Sequence, residues 1–109
     1  MEYRIYVPSK YMTTRGHEPF TENKFQSIVD SLCINLRMKY DIKRIYVREE
    51  ICYLEYNFKM KTNVVHFRLD NDISDSLDFF IKKFESRFFQ EGEIIYEMVN
   101  YPSPKDNKL

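Results

Sequence analysis

The sequence predicts an α+β protein in which two helices pack on one face of a mainly antiparallel sheet of about five strands. The chain has 109 residues, and a single domain commonly holds about 100 to 150. Several runs alternate apolar and polar residues, as half-buried strands do, and two longer runs repeat apolar residues at the 3.6-residue period of amphipathic helices. Elements with one apolar face each bury it best as a two-layer sandwich.

The predicted order of elements is β-α-β-β-β-α-β. The nearest common plan is a ferredoxin-like sandwich with one added strand. We expect residues 1–101 to form the single domain. Residues 102–109 are polar and contain two prolines, so we expect them to be a disordered tail.

The first strand is predicted over residues 2–7, "EYRIYV", and Pro8 ends it. Its inward residues are Tyr3, Ile5 and Val7. The segment up to Phe20 is longer than the roughly two to six residues usual between a strand and a helix. Long connections in compact domains are often functional, so this one is predicted to be a surface contact loop, with Arg15 and His17 among its contact residues.

The first helix is predicted to begin after Thr21, whose hydroxyl suits an N-cap, with Glu22 in the first turn. Its apolar stripe comprises Phe25, Ile28, Val29, Leu32 and Leu36. The second helix is predicted to begin at an Asp72 N-cap and to end before Gly92. Its stripe comprises Ile73, Leu77, Phe80, Ile81, Phe84 and Phe88.

Residues 43–69 alternate in a way that predicts a three-stranded meander, with a first turn at Glu49 and Glu50 and a second at residues 61–63. The middle strand then directs Cys52, Leu54, Tyr56, Phe58 and Met60 inward. The third directs Val65, Phe67 and Leu69 inward and Val64, His66 and Arg68 outward. The last strand is predicted over residues 93–99, "EIIYEMV".

Charge and composition exclude several functional classes. The 17 basic and 17 acidic side chains balance, so the chain lacks the long-range attraction of a strongly basic nucleic-acid binder. No apolar stretch approaches the roughly 18 residues of a membrane span, and no secretion signal is visible. Cys33 and Cys52 lie among apolar neighbours, which is typical of reduced cytoplasmic proteins.

No catalytic, cofactor or metal motif is present, and the chain is predicted not to be an enzyme. His17 beside Glu18 and His66 near Arg68 lack an indicated third group. The carboxylates of residues 70–75 lack the glycine and terminal Glu of a calcium loop, and helix capping explains them. A phosphodiesterase relying on His17 or His66 is the third alternative for function.

Two surfaces are predicted to contact partners. The sheet face away from the helices concentrates tyrosine and arginine, the residues that protein interfaces favour. Its contact residues, together with Arg15 and His17 of the loop, are Arg4, Tyr6, Arg44, Tyr46, Arg48, Tyr53, His66 and Arg68. The second surface lies on the outer sides of the helices, where Ile34, Met38 and Phe79 oppose the core stripes, and it suits a homodimer.

The leading interpretation is a small cytoplasmic protein that binds another protein and acts by steric occlusion. Its size and composition are similar in character to those of inhibitors encoded by phages or mobile elements, such as anti-CRISPR and other anti-defence proteins that act on a host nuclease or defence effector. A toxin-immunity protein is a further alternative. The runner-up is a single-stranded RNA or DNA binder that uses the same sheet face for stacking and phosphate contacts.

Overall fold

The computed structural model describes residues 1–13, 16–54 and 58–99, without the side chains of residues 11–13, 16–17, 52–54 and 58–60. The class is α+β, as predicted. In chain order the elements are β1 (Glu2–Pro8), β2 (Lys10–Thr13), β3 (Gly16–Pro19), α1 (Glu22–Tyr40), β4 (Ile45–Leu54), β5 (Phe58–Arg68), α2 (Ser74–Glu85) and β6 (Ile95–Val99).

The main sheet has four strands in the order β4-β5-β1-β6, and β2 and β3 form a separate two-stranded sheet. All neighbouring strands are antiparallel. The pairing of β1 with β5 ends where Pro8 meets Thr62. β4 and β5 stay paired beyond that point, as far as Leu54 opposite Phe58. They therefore extend past the sheet as a two-stranded ribbon.

The core lies between one sheet face and both helices. Tyr3, Ile5 and Val7 of β1 and Val65 and Phe67 of β5 are buried together with the apolar stripes of α1 and α2. Each such side chain contributes about 1.5 to 3 kcal/mol when it leaves water. The period-2 and period-3.6 patterns therefore predicted the inward residues of β1 and of both helices.

The start of α1 was predicted correctly, and that of α2 was one residue off. The Thr21 hydroxyl accepts a hydrogen bond from the Lys24 N–H at 3.2 Å. In α2 the N-cap is Ile73, which makes no side-chain cap bond. Asp72, one residue earlier, accepts the Ser74 N–H at 2.9 Å, so its carboxylate still satisfies a free donor at the first turn.

The end of α2 comes earlier than predicted. The helix ends at Glu85 with Ser86 as C-cap, so Phe88 packs against the core from the following turn and Gly92 is not the residue that ends the helix. The buried Glu85 carboxylate accepts the N–H groups of Gly92 at 3.0 Å and Ile94 at 2.7 Å. This side chain stabilises the connection into β6.

The predicted three-stranded meander is wrong, and with it the five-strand count and the predicted element order. β4 is one ten-residue strand that passes through Glu49 and Glu50 in a constant register with β5. These two residues carry no turn chemistry, since short hairpin turns need Gly, Asn or Asp. They also have partners on their own faces: Glu49 Oε1 lies 2.9 Å from Lys61 Nζ, and Glu50 forms an ion pair with Arg48.

The segment predicted as a loop contains the β2–β3 hairpin. The hairpin is joined to the main sheet at its base, where the Ser9 N–H donates to the Lys61 carbonyl and the Phe20 N–H donates to the Ser9 carbonyl, both at 2.9 Å. The predicted tail of residues 102–109 lies outside the described residues.

Candidate functional site

The sheet face opposite the helices is called the outer face, and it is formed by alternate residues of the four strands. Because antiparallel partners direct their side chains to the same side, the register arranges these residues in rows across the sheet. One row contains Tyr46, His66, Arg4 and Glu97. The next contains Arg48, Val64, Tyr6 and Ile95.

A buried carboxylate organises the basic residues of this face. Glu2 is only 6% exposed, and its Oε2 lies 2.8 Å from Arg4 Nε. Its Oε1 lies 3.7 Å from His66 Nδ1 and 3.8 Å from Arg68 Nε. A buried charge is tolerated when it is paired. Arg4 and Arg68 supply that pairing, and the His66 imidazole lies beside the same carboxylate.

A second carboxylate fixes the neighbouring residues. Glu97 Oε1 accepts a hydrogen bond from the Tyr6 hydroxyl at 2.6 Å and lies 3.4 Å from Arg4 Nη1. The hydrogen bond to Glu97, with burial, raises the pKa of Tyr6 above its usual value. Tyr6 therefore remains a neutral donor at physiological pH. Glu2 and Glu97 together hold the side chains of Arg4 and Tyr6 in defined positions on the outer face.

The more exposed residues of the outer face lie on the strands next to Arg4 and Tyr6 or at the edges of the sheet. The Tyr46 ring is 53% exposed and stacks on the His66 imidazole, with centroids 5.3 Å apart and ring planes 28° apart. The Arg48 and Arg68 side chains are also exposed. At the opposite edge of the sheet Ile95 is 63% exposed. The outer face thus combines an aromatic ring, two guanidinium groups and an aliphatic side chain.

A groove of about 1160 Å³ opens beside this face, where the end of β5 meets the C-terminal end of α1. Its walls carry charges of both signs, with four Lys or Arg side chains and three carboxylates. Lys43 and Arg44 have no ion-pair partner in the part of the chain that the structure describes. The charged and aromatic lining residues are Glu2, Lys39, Tyr40, Asp41, Lys43, Arg44, Tyr46, His66, Phe67, Arg68 and Asp70. The groove can accept an acidic side chain or a phosphate group.

Seven of the residues predicted from the sequence lie together on the outer face or its groove. They are Arg4, Tyr6, Arg44, Tyr46, Arg48, His66 and Arg68. Val64 shares their row but is fully buried. Solvent access was therefore predicted wrongly for Val64.

Tyr53 does not belong to this group. Because β4 is continuous, the backbone position of Tyr53 falls on the same side of the strand as those of Val47 and Ile51, which is the helix side. The false turn at Glu49 and Glu50 inverted the predicted faces of the following residues.

The remaining predicted contact residues lie elsewhere. Arg15 and the side chain of His17 lie outside the described residues. Ile34, Met38 and Phe79 are exposed on the helices, away from the outer face, and their role as an interface stays a prediction.

Sequence reasoning missed Glu2, Glu97 and Ile95. The alternation of "EYRIYV" already places Glu2 with Arg4 and Tyr6, so its position was visible. Glu97 and Ile95 reach the outer face through the pairing of β1 with β6. That pairing joins residues more than 85 positions apart, and no local pattern indicates it.

The histidine, cysteine and carboxylate side chains of the described residues bear on catalysis and metal binding. They include no group of three or more His, Cys, Asp or Glu side chains that could hold a metal ion. The 3.7 Å between His66 Nδ1 and Glu2 Oε1 is longer than a hydrogen bond. Burial raises the pKa of the Cys33 thiol, which leaves it a weak nucleophile.

Comparison with protein-family models, curated proteins and solved structures gave no match. Function is therefore inferred from the geometry of the outer face. Among the described helices, none is long and apolar enough to cross a membrane.

Proposed function

We propose that the protein is a small non-enzymatic binding protein that docks its outer face on another protein and blocks that protein sterically. The observation that supports this is the separation of the two faces: both helices pack on one side, and Tyr46, Arg48, Arg68 and Ile95 are exposed on the other. Tyrosine and arginine supply large contact areas with hydrogen-bonding ends, and they dominate interface energetics.

The ion pairs beneath the face favour binding. Arg4 and Tyr6 are already held by Glu2 and Glu97, so little side-chain freedom is lost when a partner docks on them. The basic groups at the groove, Lys43 and Arg44, suit a target that presents acidic side chains. A target surface with a protruding carboxylate would fit the outer face and the groove together.

The biological role that we propose is inhibition, by a protein encoded on a phage or mobile element, of a host nuclease or defence effector in the cytoplasm. A toxin-immunity partner would use the same surface in the same way. We also infer that the fold is a variant of the ferredoxin-like sandwich. Support comes from the sheet order β4-β5-β1-β6 with one helix before β4 and one after β5.

The test is capture of a target from the native host, followed by binding measurements with the purified target. We expect Tyr46→Ala and Arg68→Ala each to weaken affinity by about fivefold or more, the effect of losing a residue that matters at an interface. Met38→Ser, on the exposed side of α1, is the matched control and should bind as the wild type does. A target lost by Met38→Ser but kept by both sheet variants would contradict the proposal.

A second candidate function is single-stranded nucleic-acid binding. It is favoured by the stacking of Tyr46 on His66 beside the basic groove, since exposed rings stack on bases and cations contact phosphates. Binding of a labelled oligonucleotide should then weaken steeply with salt and be lost in the Arg44→Glu/Arg48→Glu variant. Absence of binding at low salt would exclude this function.

A further inference from the structure

The strand β4 is an edge of the main sheet with unusual side chains. Among the described residues it pairs only with β5, along its whole ten-residue length. On the helix side, Val47 and Ile51 remain 46% and 64% exposed. Proteins usually protect long edge strands with charges, prolines or bulges, because unpaired N–H and C=O groups attract another strand. β4 has charges at Arg48, Glu49 and Glu50, but the exposed aliphatic residues on either side of these charges would be buried by a partner strand.

Symmetry restricts how a second copy of β4 could pair with the first. A two-fold axis perpendicular to the sheet keeps the helices of both copies on the same side. Opposite residues must then belong to the same face. The axis therefore lies midway between the two copies of one residue of β4, and that residue defines the register. With the axis at Glu49, Val47 lies opposite Ile51 of the second copy. In the same register, Arg48 lies opposite Glu50.

The neighbouring registers lack this complementarity. With the axis at Arg48, two arginines face each other and Val47 meets a glutamate. With the axis at Glu50, two glutamates face each other and Ile51 meets a glutamate. Like charges directly opposite each other destabilise a strand pair, whereas aliphatic and opposite-charge pairs stabilise it. Only the axis at Glu49 gives two aliphatic pairs and two ion pairs at once.

At the centre of that register, each Glu49 has a positive partner on its own chain. The two Glu49 carboxylates would face each other, but each already lies 2.9 Å from Lys61 of its own chain. The ion pair between Arg48 and Glu50 within each chain would join that of the second copy, so that charges of opposite sign alternate across the axis.

We propose that two copies of this chain pair through β4 in an antiparallel register centred on Glu49. The two four-stranded sheets become one continuous sheet, with all helices on one side and both outer faces on the other. The proposal goes beyond the proposed function, because it concerns the edge of the sheet and a second copy, not the outer face and a foreign target.

Charge reversal tests this register specifically, with mass measured by light scattering across a concentration series. In a dimer of Arg48→Glu, the new glutamate of each copy faces Glu50 of the other copy. In a dimer of Glu50→Arg, the new arginine of each copy faces Arg48 of the other copy. We expect each variant alone to raise the dimer dissociation constant by about tenfold or more. Mixed at equal amounts, they should form a heterodimer, since each glutamate at position 48 or 50 then faces an arginine.

The Ile34→Ser/Met38→Ser variant is the control for a dimer through the helices, and it should dimerise as the wild type does. Circular dichroism establishes that each variant is folded, which these exposed or half-exposed positions should allow. A monomeric wild type at every concentration would overturn the proposal. So would a dimer that survives Arg48→Glu, a dimer that is lost in Ile34→Ser/Met38→Ser, or a mixture of the two charge variants that does not associate.

Discussion

The two sides of β1 are both well packed, and they are ordered by different forces. Toward the helices the strand directs Tyr3, Ile5 and Val7 into an apolar core. Toward the outer face it directs Glu2 and Arg4, and Glu2 is nearly as buried as that core. Apolar burial is non-directional, whereas ion pairs fix geometry. We therefore expect the helix side to supply most of the stability and the outer side to supply a preformed surface.

Substitutions at adjacent positions of β5 should reveal this contrast most strongly. Phe67 is buried against Tyr3, with ring centroids 5.5 Å apart, and Phe67→Ala should lower the free energy of unfolding by about 3 to 5 kcal/mol. His66, the next residue, lies on the outer face. His66→Ala should cost less than about 1 kcal/mol. Urea denaturation measures both, and equal losses would refute the distinction between the two sides.

Removing the charge of Glu2 should have an intermediate effect. Glu2→Gln leaves Arg4, His66 and Arg68 without their shared carboxylate. The Arg4 side chain is only 27% exposed, and loss of its hydrogen bond to a charged partner should cost about 1 to 3 kcal/mol. The variant should therefore unfold at a correspondingly lower urea concentration. Glu91→Gln, at an exposed position, is the matched control and should change stability by less than about 0.5 kcal/mol. Identical behaviour of the two variants would mean that the ion pairs do not order the outer face.

The smallest effect concerns the acid limit of stability at the start of α2. Hydrogen bonds donated by the Ser74 hydroxyl and N–H lower the pKa of Asp72 below its ordinary value. A carboxyl group whose pKa is lower in the folded state stabilises the fold above its unfolded pKa, and this contribution is lost as pH falls through the folded pKa. Asp72→Asn should therefore destabilise the protein at pH 7 and weaken the acid dependence. Thermal unfolding between pH 2 and pH 7 measures this effect, and Asp70→Asn is the control. If the hydrogen bonds contributed nothing, Asp72→Asn would show the same acid dependence as the wild type.

Local patterns predicted the helices and β1 because their periodicity is read within a few residues of the chain. They failed at β4, where a turn was predicted at Glu49 and Glu50, because no local pattern shows that the strand continues in register with β5 or that these residues pair with Arg48 and Lys61. Pairing with β6 was equally hidden, because Glu97 approaches Arg4 only in the assembled sheet. Most of the candidate site could thus be predicted as a set of residues. The carboxylates that arrange it could not, apart from Glu2.

The position of β1 in the middle of the sheet constrains the order in which the chain can fold during synthesis. Its neighbours in the sheet are β5 and β6, which are synthesised long after β1. Neither neighbour is therefore present while much of the chain is made. Contacts that span such sequence separations form slowly, and exposed apolar strands aggregate. The charges of Glu2 and Arg4 alternate with Tyr3 and Ile5 of β1, so the apolar surface of the unpaired strand is concentrated on one of its two sides.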